Sequence, residues 1–303
     1  MSTPTSSSFN NTAAWIPFAH TPFKIGQAPI PEPTDLELLI RIHAIAINPV
    51  DAIIQKTGVI QSTYPAIVGC DCAGEVIRVG GAATSRFQPG DRVLAACAPS
   101  IYFPAGPKRD NWGTFQYYVA AKAATAVKIP PQVSFREASV LPLGTYTAAI
   151  ALFSKERLGL KLPRLEPEPN GQSVLIWSGS SSVGMCAIQL AKAAGYTVAT
   201  TCSPRNFEAC KDAGADYVFD YRDKEVVGDI VKTLRGKQSA GALVCHFGVE
   251  GLIGSGQVVS RLDGAKKLNT VFASAEQMAH AASEAVEKMP EGVKVMHGKA
   301  PDC

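Results

Sequence analysis

The stretch of this chain with the clearest chemical capacity is Val174-Leu-Ile-Trp-Ser-Gly-Ser-Ser-Ser-Val-Gly184. Gly179, Ser181 and Gly184 stand at the spacing of a G-x-G-x-x-G dinucleotide turn, with serine in place of the second glycine. Glycine at 179 allows a tight turn off a strand, and glycine at 184 lets the following helix pack closely on the sheet. The helix, opened by Ser182 and Val183, then directs N–H groups and its positive dipole end at a pyrophosphate. Glycine spacing alone is weak evidence, but here it follows an apolar run. It also precedes a segment in which Val183, Ala187, Leu190 and Ala194 share one helical face, with Gly195 as the stop. An ordinary strand–helix turn without a ligand is the plain alternative.

The next strand end selects the dinucleotide. A site for NAD places Asp or Glu about 20 residues on, where it accepts hydrogen bonds from the ribose 2′-OH. Here the chain reads Thr200-Thr-Cys-Ser-Pro-Arg-Asn206, with no carboxylate before Glu208. A carboxylate repels a 2′-phosphate, whereas Ser203 donates a hydrogen bond and Arg205 a charge-assisted one. Ser203, Arg205 and Asn206 are therefore expected to favour NADPH; the alternative is that Arg205 is an exposed residue opening the next helix.

The elements that must position these residues follow from patterning. From Ala13 to about Thr125 the chain shows short alternating runs broken by Gly and Pro, as a small β domain requires. Leu38, Ile40, Ile42, Ala44 and Ala46 alternate with Leu39, Arg41, His43, Ile45 and Ile47, which reads as a strand, and Gly69, Gly74, Gly80–Gly81 and Pro89-Gly-Asp91 read as breaks. After Ser134, strand candidates Val174–Trp177, Thr197–Thr201, Tyr217–Phe219, Ala242–Cys245 and Leu268–Phe272 alternate with helix candidates. These are Val183–Ala194, Phe207–Ala213, Val226–Leu234 and Ala275–Met289, and the alternation argues for a parallel sheet covered by helices. Pro163–Gly171 reads as a surface loop. The expected organisation is a lead-in over 1–12, disordered in character, a β domain over 13–125 and a nucleotide-binding domain over 126–303.

Composition excludes several classes. With 303 residues, 46% hydrophobic and 18% charged, the chain suits two globular domains and not wholesale disorder. The net charge of +3, from 29 basic and 26 acidic residues, is spread without a basic block, so a nucleic-acid partner is not expected. No apolar run is long enough to span a bilayer, and Met1–Thr12 has neither an apolar signal core nor an arginine. The cysteines, at 70, 72, 97, 186, 202, 210, 245 and 303, suit neither a disulfide scaffold nor a zinc ribbon. A reducing compartment, by default the cytoplasm, is expected.

Several segments together carry a resemblance: Asn48-Pro-Val-Asp51, Gly69-Cys-Asp-Cys-Ala-Gly-Glu-Val76, Gly90-Asp-Arg-Val93, Leu141-Pro-Leu-Gly-Thr-Tyr-Thr-Ala148, the glycine turn and Gly214-Ala-Asp-Tyr-Val-Phe-Asp-Tyr221. The chain resembles the medium-chain dehydrogenase/reductase superfamily, in its zinc-free quinone oxidoreductase and fungal trans-acting enoyl reductase branch. That resemblance implies a GroES-like β domain followed by a Rossmann domain, an α/β architecture with the active site in the cleft between. It also implies that Asn48 and Thr147 line the nicotinamide end and that Tyr221 contacts the adenosine phosphate region. Where the zinc-dependent relatives place their ligands, this chain has Asn48, which is not a competent zinc anion, and Cys70-Asp71, two potential ligands without a third. Only Cys97 follows Val93 where a structural zinc lobe needs four cysteines. Cys70 and Cys72 read as small buried strand residues, and no metal is expected.

Without a metal to polarise a carbonyl, the natural reaction is hydride transfer to an acceptor that is already conjugated, which leaves an enolate needing hydrogen-bond donors. Tyr64, Tyr102, Tyr146 and Lys56 are the candidates, each tyrosine with the alternative of a packed ring and a rim hydroxyl. Many fungal relatives carry Lys two residues after the motif's aspartate; here Ile53 stands there. His43 and His246 read as core or rim residues. The expected activity is NADPH-dependent, zinc-independent reduction of an activated C=C of an α,β-unsaturated carbonyl or enoyl thioester, free or on a carrier-bound acyl chain. The alternatives are a quinone oxidoreductase and a catalytically silent NADPH-binding protein, as monomer or homodimer. In the resembled family a return segment follows the last Rossmann strands. Here Gly292–Gly298 reads as the strand before it and the chain stops at Cys303, so a truncated product with a frayed β domain is expected.

Overall fold

A computed structural model describes residues 10–58, 64–97, 113–245, 248–271, 285 and 288–297. The chain divides into two compact units between Leu143 and Gly144.

The first unit is antiparallel. β1 (Thr12–Ile16), β2 (Lys24–Gln27) and β4 (Ala66–Ile67) form a small sheet, in the order β2-β1-β4. β3 (Glu37–Ala46), β5 (Asp71–Val79), β6 (Arg92–Ala96), β7 (Tyr118–Lys122) and β8 (Ala126–Lys128) form a second sheet, in the order β7-β3-β5-β6-β8. The alternation read in β3 sends Leu38, Ile40 and Ile42 to a core shared with Cys72, Val76, Val93 and Val119. The unit also holds α1 (Pro49–Thr57), α2 (Phe135–Ala138) and the first residues of α3 (Pro142–Phe153).

Several boundaries differ from expectation. Residues 1–9 lie outside the described residues; Asn11 and Thr12, inside the expected lead-in over 1–12, belong to the first unit's fold, with β1 starting at Thr12. Asn11 is buried, donating to Pro29 O (2.9 Å) and Gln116 Oε1 (3.0 Å) and accepting from the N–H groups of Tyr117 and Tyr118. The sheet also runs past residue 125, because β8 pairs with β6 through Leu94↔Val127. Gly74 is no break: it sits inside β5, where a Cβ would overlap the carbonyl oxygen of Arg41 on β3, next to a register shift between Ile42 and Ala44.

The second unit is a parallel sheet of β9 (Gln172–Trp177), β10 (Thr197–Cys202), β11 (Tyr217–Asp220), β12 (Gln238–Val244), β13 (Lys267–Thr270) and β14 (Lys294–His297), in the order β11-β10-β9-β12-β13-β14. Numbered within the unit this is 3-2-1-4-5-6, the doubly wound order of dinucleotide-binding folds, whose direction reverses beside the first strand. Because both faces are covered, β9 is apolar from Val174 to Trp177. Val174 and Ile176 join the core with Ile188 and Val198; Leu175 and Trp177 join the opposite core with Ile230, Leu252 and Val258. The covering helices are α4 (Ser182–Ala193), α5 (Phe207–Asp212), α6 (Val226–Leu234) and α7 (Val249–Arg261).

Most of the candidate segments appear with ends moved by a few residues. β12 starts earlier than Ala242 and β13 ends at Thr270; Phe272 and most of the helix candidate Ala275–Met289 lie outside the described residues, of which Ala285 and Lys288 are helical. Local patterning does not mark α1, α2, α3 or α7 as helices. α7 escaped because Gly251, Gly254 and Gly256 argue locally against a helix. The structure supplies the reason for two of them: a Cβ on Gly251 would lie 2.9 Å from Trp177 Cδ1, and one on Gly254 2.8 Å from Trp177 Cη2. No helix among the described residues is long and apolar enough to cross a membrane.

Candidate functional site

In the second unit the nucleotide turn is built at the C-terminal end of β9, on the side of the sheet where ligands of doubly wound folds bind. The left-handed residue of the turn is Ser178 (φ 69°), not Gly179. Gly179 is needed for a different reason: a Cβ there would overlap Thr200 Oγ1 of β10 and stand 2.9 Å from Ile188 Cδ1 of α4. Gly184 brings the helix onto the turn, since its Cβ would overlap Ser178 O and lie 2.7 Å from Gly179 Cα. Ser181, in the position of the second glycine, is the N-cap of α4. Its Oγ accepts from Gly184 N (3.1 Å) and donates to Ser178 O (2.8 Å). The first helical N–H groups, on Ser182 and Val183, remain at the positive end of α4, which fits a pyrophosphate. Gly195 ends the helix in the left-handed region (φ 81°), as read from the sequence.

The strand order brings the other candidates to the same edge. Ser203, Pro204, Arg205 and Asn206 follow β10, with Arg205 exposed and Ser203 and Asn206 half-buried. Asn206 N donates to Ser203 O at 2.8 Å, closing a tight turn. Cys202 and Asp220 are register partners, so Tyr221 follows β11 at the level where Ser203 follows β10. Tyr221 is 46% exposed, with the Arg222 guanidinium 5.8 Å from its ring centroid. The Arg222 guanidinium grips Asp220 with bonds of 3.0 and 2.8 Å and holds that carboxyl below its ordinary range. The acid that ends β11, next to β10, is thus already paired.

Beside the turn, α3 contributes groups. A Cβ on Gly144 would lie 2.9 Å from Ser182 Oγ, and Thr145 Oγ1 donates to Cys186 Sγ at 3.5 Å. Thr147 is half-buried on the same helix, and Tyr146 is also half-buried. Desolvation, with Cys186 next to it, pushes the Cys245 thiol up to about 12, against a smaller opposing effect of the Ser181 hydrogen bond.

In the first unit a different constellation forms around Asn48, the N-cap of α1. Its backbone N–H donates to Asp51 Oδ2 (2.7 Å), the return half of a capping box. Its side-chain Nδ2 donates to Asp71 Oδ2 (2.9 Å), and Asp71 Oδ1 accepts from Leu143 N (2.7 Å). Both carboxyls are almost fully buried, Asp51 at 2% and Asp71 at 1% exposure. Burial pushes each up to about 6, although hydrogen bonds from Asn48 and Gly69 lower Asp51 and those from Asn48 and Leu143 lower Asp71. Asp51 Oδ1 has no hydrogen-bond partner among the described residues. Cys70, buried between them, is held well above the ordinary thiol range by desolvation and then by the two acids. Among the described residues no group of three or more His, Cys, Asp or Glu is placed to hold a metal ion.

The remaining candidates fall elsewhere. The Tyr64 ring packs with Val50, Ile54, Val68 and Cys70, and its hydroxyl is closed off from solvent without a partner among the described residues. Lys56 is exposed at the end of α1. His43 stacks on Phe135, with ring centroids 4.6 Å apart. Tyr102 and His246 lie outside the described residues. In the sequence Asp51 is marked only by its capping-box spacing from Asn48, and Asp71 only as a potential metal ligand.

Comparison with known proteins agrees with this architecture. Residues 34–131 match the family model described as alcohol dehydrogenase GroES-like domain, and 182–250 match the one described as zinc-binding dehydrogenase. "Dehydrogenase pigH" of Monascus ruber is 44% identical over 247 residues, 78% of this chain and 65% of that protein, so the match spans about two thirds of the relative. "Trans-enoyl reductase tazE" of Aspergillus terreus is 37% identical, over 80% of this chain and 78% of that protein. Among solved structures, a quinone oxidoreductase from Coxiella burnetii superposes with a TM-score of 0.68 at 25% identity, covering 97% of this chain and 84% of that one.

Proposed function

This chain belongs to the medium-chain dehydrogenase/reductase superfamily, in its fungal enoyl reductase branch, and we propose that it is a zinc-independent, NADPH-dependent reductase of an activated C=C bond. The substrate class proposed is an α,β-unsaturated carbonyl or enoyl thioester, including a carrier-bound acyl chain. The observation that carries the reading is the end of β10. Ser203 and Arg205 stand there without a competing carboxylate, beside the N-capped end of α4 and a pre-paired Asp220. Hydrogen bonds from Ser203 and Asn206 and the charge of Arg205 would hold a 2′-phosphate, and the N–H groups of Ser182 and Val183 a pyrophosphate.

A bound nicotinamide cofactor supplies a hydride to the β-carbon of the conjugated acceptor. What the chain must add is a donor for the enolate oxygen. Asn48 is the residue proposed for this: it is only half-buried, whereas the Tyr64 hydroxyl is shut away. Thr147 is proposed as a further polar contact. Zinc independence is supported by the donor set, because the Asn48 carboxamide is neutral and already donates to Asp71. Dialysis against a strong chelator is therefore expected to leave nucleotide binding and turnover unchanged.

Oxidation of NADPH measured against a panel of enones, enoyl thioesters and quinones tests the reading. Turnover of the enones or thioesters supports it, and turnover of quinones alone makes the chain a quinone oxidoreductase. Tight NADPH binding without any turnover makes it a silent nucleotide-binding protein.

A further inference from the structure

We propose that Asp71 is a positioning residue: it orients the carboxamide of Asn48 and so sets which groups of that amide face a ligand. This rests on the reductase reading only in its kinetic consequence. An ionised carboxylate accepts and never donates, so the amide must turn its NH₂ toward Asp71 Oδ2, 2.9 Å away. One N–H is thereby consumed and Oδ1 faces the Asp51 N–H within the capping box, which leaves the second N–H in a determined orientation on a half-buried residue.

The anchor behind this bond is rigid. Asp71 opens β5, a strand paired on both sides, with Asp71 opposite Ala46 on β3 and Ala96 on β6. Its other oxygen is held by the Leu143 N–H at 2.7 Å. Asp51 meanwhile fixes the Asn48 backbone from the opposite end, at 2.7 Å. Asn48 is thus clamped at both its backbone and its side chain before any ligand arrives, which is the preorganisation a transition-state donor requires. The arrangement is costly: two nearly solvent-free carboxyls flank one residue, and Asp51 retains an unpartnered oxygen. A cap alone would need one of them.

The test combines kinetics with a direct observation of the amide. Asp71→Asn can present its own NH₂ to Asn48 and so scrambles the orientation. It is expected to lower kcat about tenfold or more, with KM for NADPH little changed. In an Asn48→Ala background the same substitution is expected to change kcat less than about twofold, because there is no amide left to orient. Asp71→Glu keeps the acceptor and is expected to recover part of the loss. Equal losses from Asp71→Asn with and without Asn48, or no loss at all, overturn the proposal. In parallel, protein labelled with ¹⁵N-asparagine reports the Asn48 side-chain amide, assigned by its disappearance in Asn48→Ala. One of its two protons is expected to be shifted downfield, and the shift to vanish in Asp71→Asn and persist in Asp71→Glu. An unshifted pair in the native chain overturns the proposal even where turnover is absent, whereas absent turnover with a shifted proton overturns only the reductase reading.

Discussion

The hydroxyl of Thr200 occupies the space beside Gly179 that any side chain there would need, and it is pinned by a 2.7 Å hydrogen bond to Ile176 O. The glycine turn is therefore shaped from beneath, by the neighbouring strand. Gly179→Ala is expected to weaken NADPH binding and destabilise the second unit by about 1–3 kcal/mol, the usual cost of overpacking. Adding Thr200→Ala, which removes the overlapping oxygen, is expected to restore part of both. Thermal melts and nucleotide titrations of the single and double variants check this; a Gly179→Ala chain that binds like the native one contradicts it.

Arg205 is exposed and Ser203 half-buried at the end of β10. Removing a charge-assisted contact costs roughly 1.5–3 kcal/mol, so Arg205→Ala is expected to weaken NADPH binding about tenfold or more. NADH binding is expected to stay where it was. Fluorescence titration with both nucleotides decides it, and equal affinity of the native chain for the two defeats the assignment.

Asp51 and Asp71 are each pushed up to about 6 from 3.8. A carboxyl with a raised folded-state pKa binds more protons folded than unfolded between those values. Its favourable contribution is complete below about pH 4 and is lost as pH rises through 6. Asp51→Asn removes one of these charges and keeps an oxygen for the Asn48 N–H. Its stability relative to the native chain is expected to improve as pH goes from 4 to 7, by up to ~3 kcal/mol. Urea midpoints at several pH values, with unchanged m, measure this. A difference independent of pH would show that the Asp51 charge is not strained by burial.

Trp177 lies under the glycines of α7, 2.8 Å from where a Cβ on Gly254 would stand. Alanine is the better helix former by about 1 kcal/mol, yet Gly254→Ala is expected to destabilise the chain, because the indole is buried in the core and cannot retreat. Combined with Trp177→Phe, the two losses are expected to fall short of their sum, the mark of a direct contact. Strict additivity in denaturant melts would place the clash elsewhere.

Much of the second unit was legible because its signals are local. An apolar run of strand length, a serine able to cap and two glycines five residues apart act within a few residues, where propensity and periodicity decide. The alternation in β3 was legible for the same reason. What only the tertiary structure decided are the contacts that cross sequence distance. Asp71 meets Asn48 across 23 positions and Leu143 across 72, so nothing local marks it as other than one more acid. Thr200 lies under Gly179, and Trp177 under Gly251 and Gly254, only because parallel strands and their crossover helices bring them together. A segment with three glycines is a poor helix by its own propensity. It becomes α7 because packing on an indole returns more than the missing side chains lose.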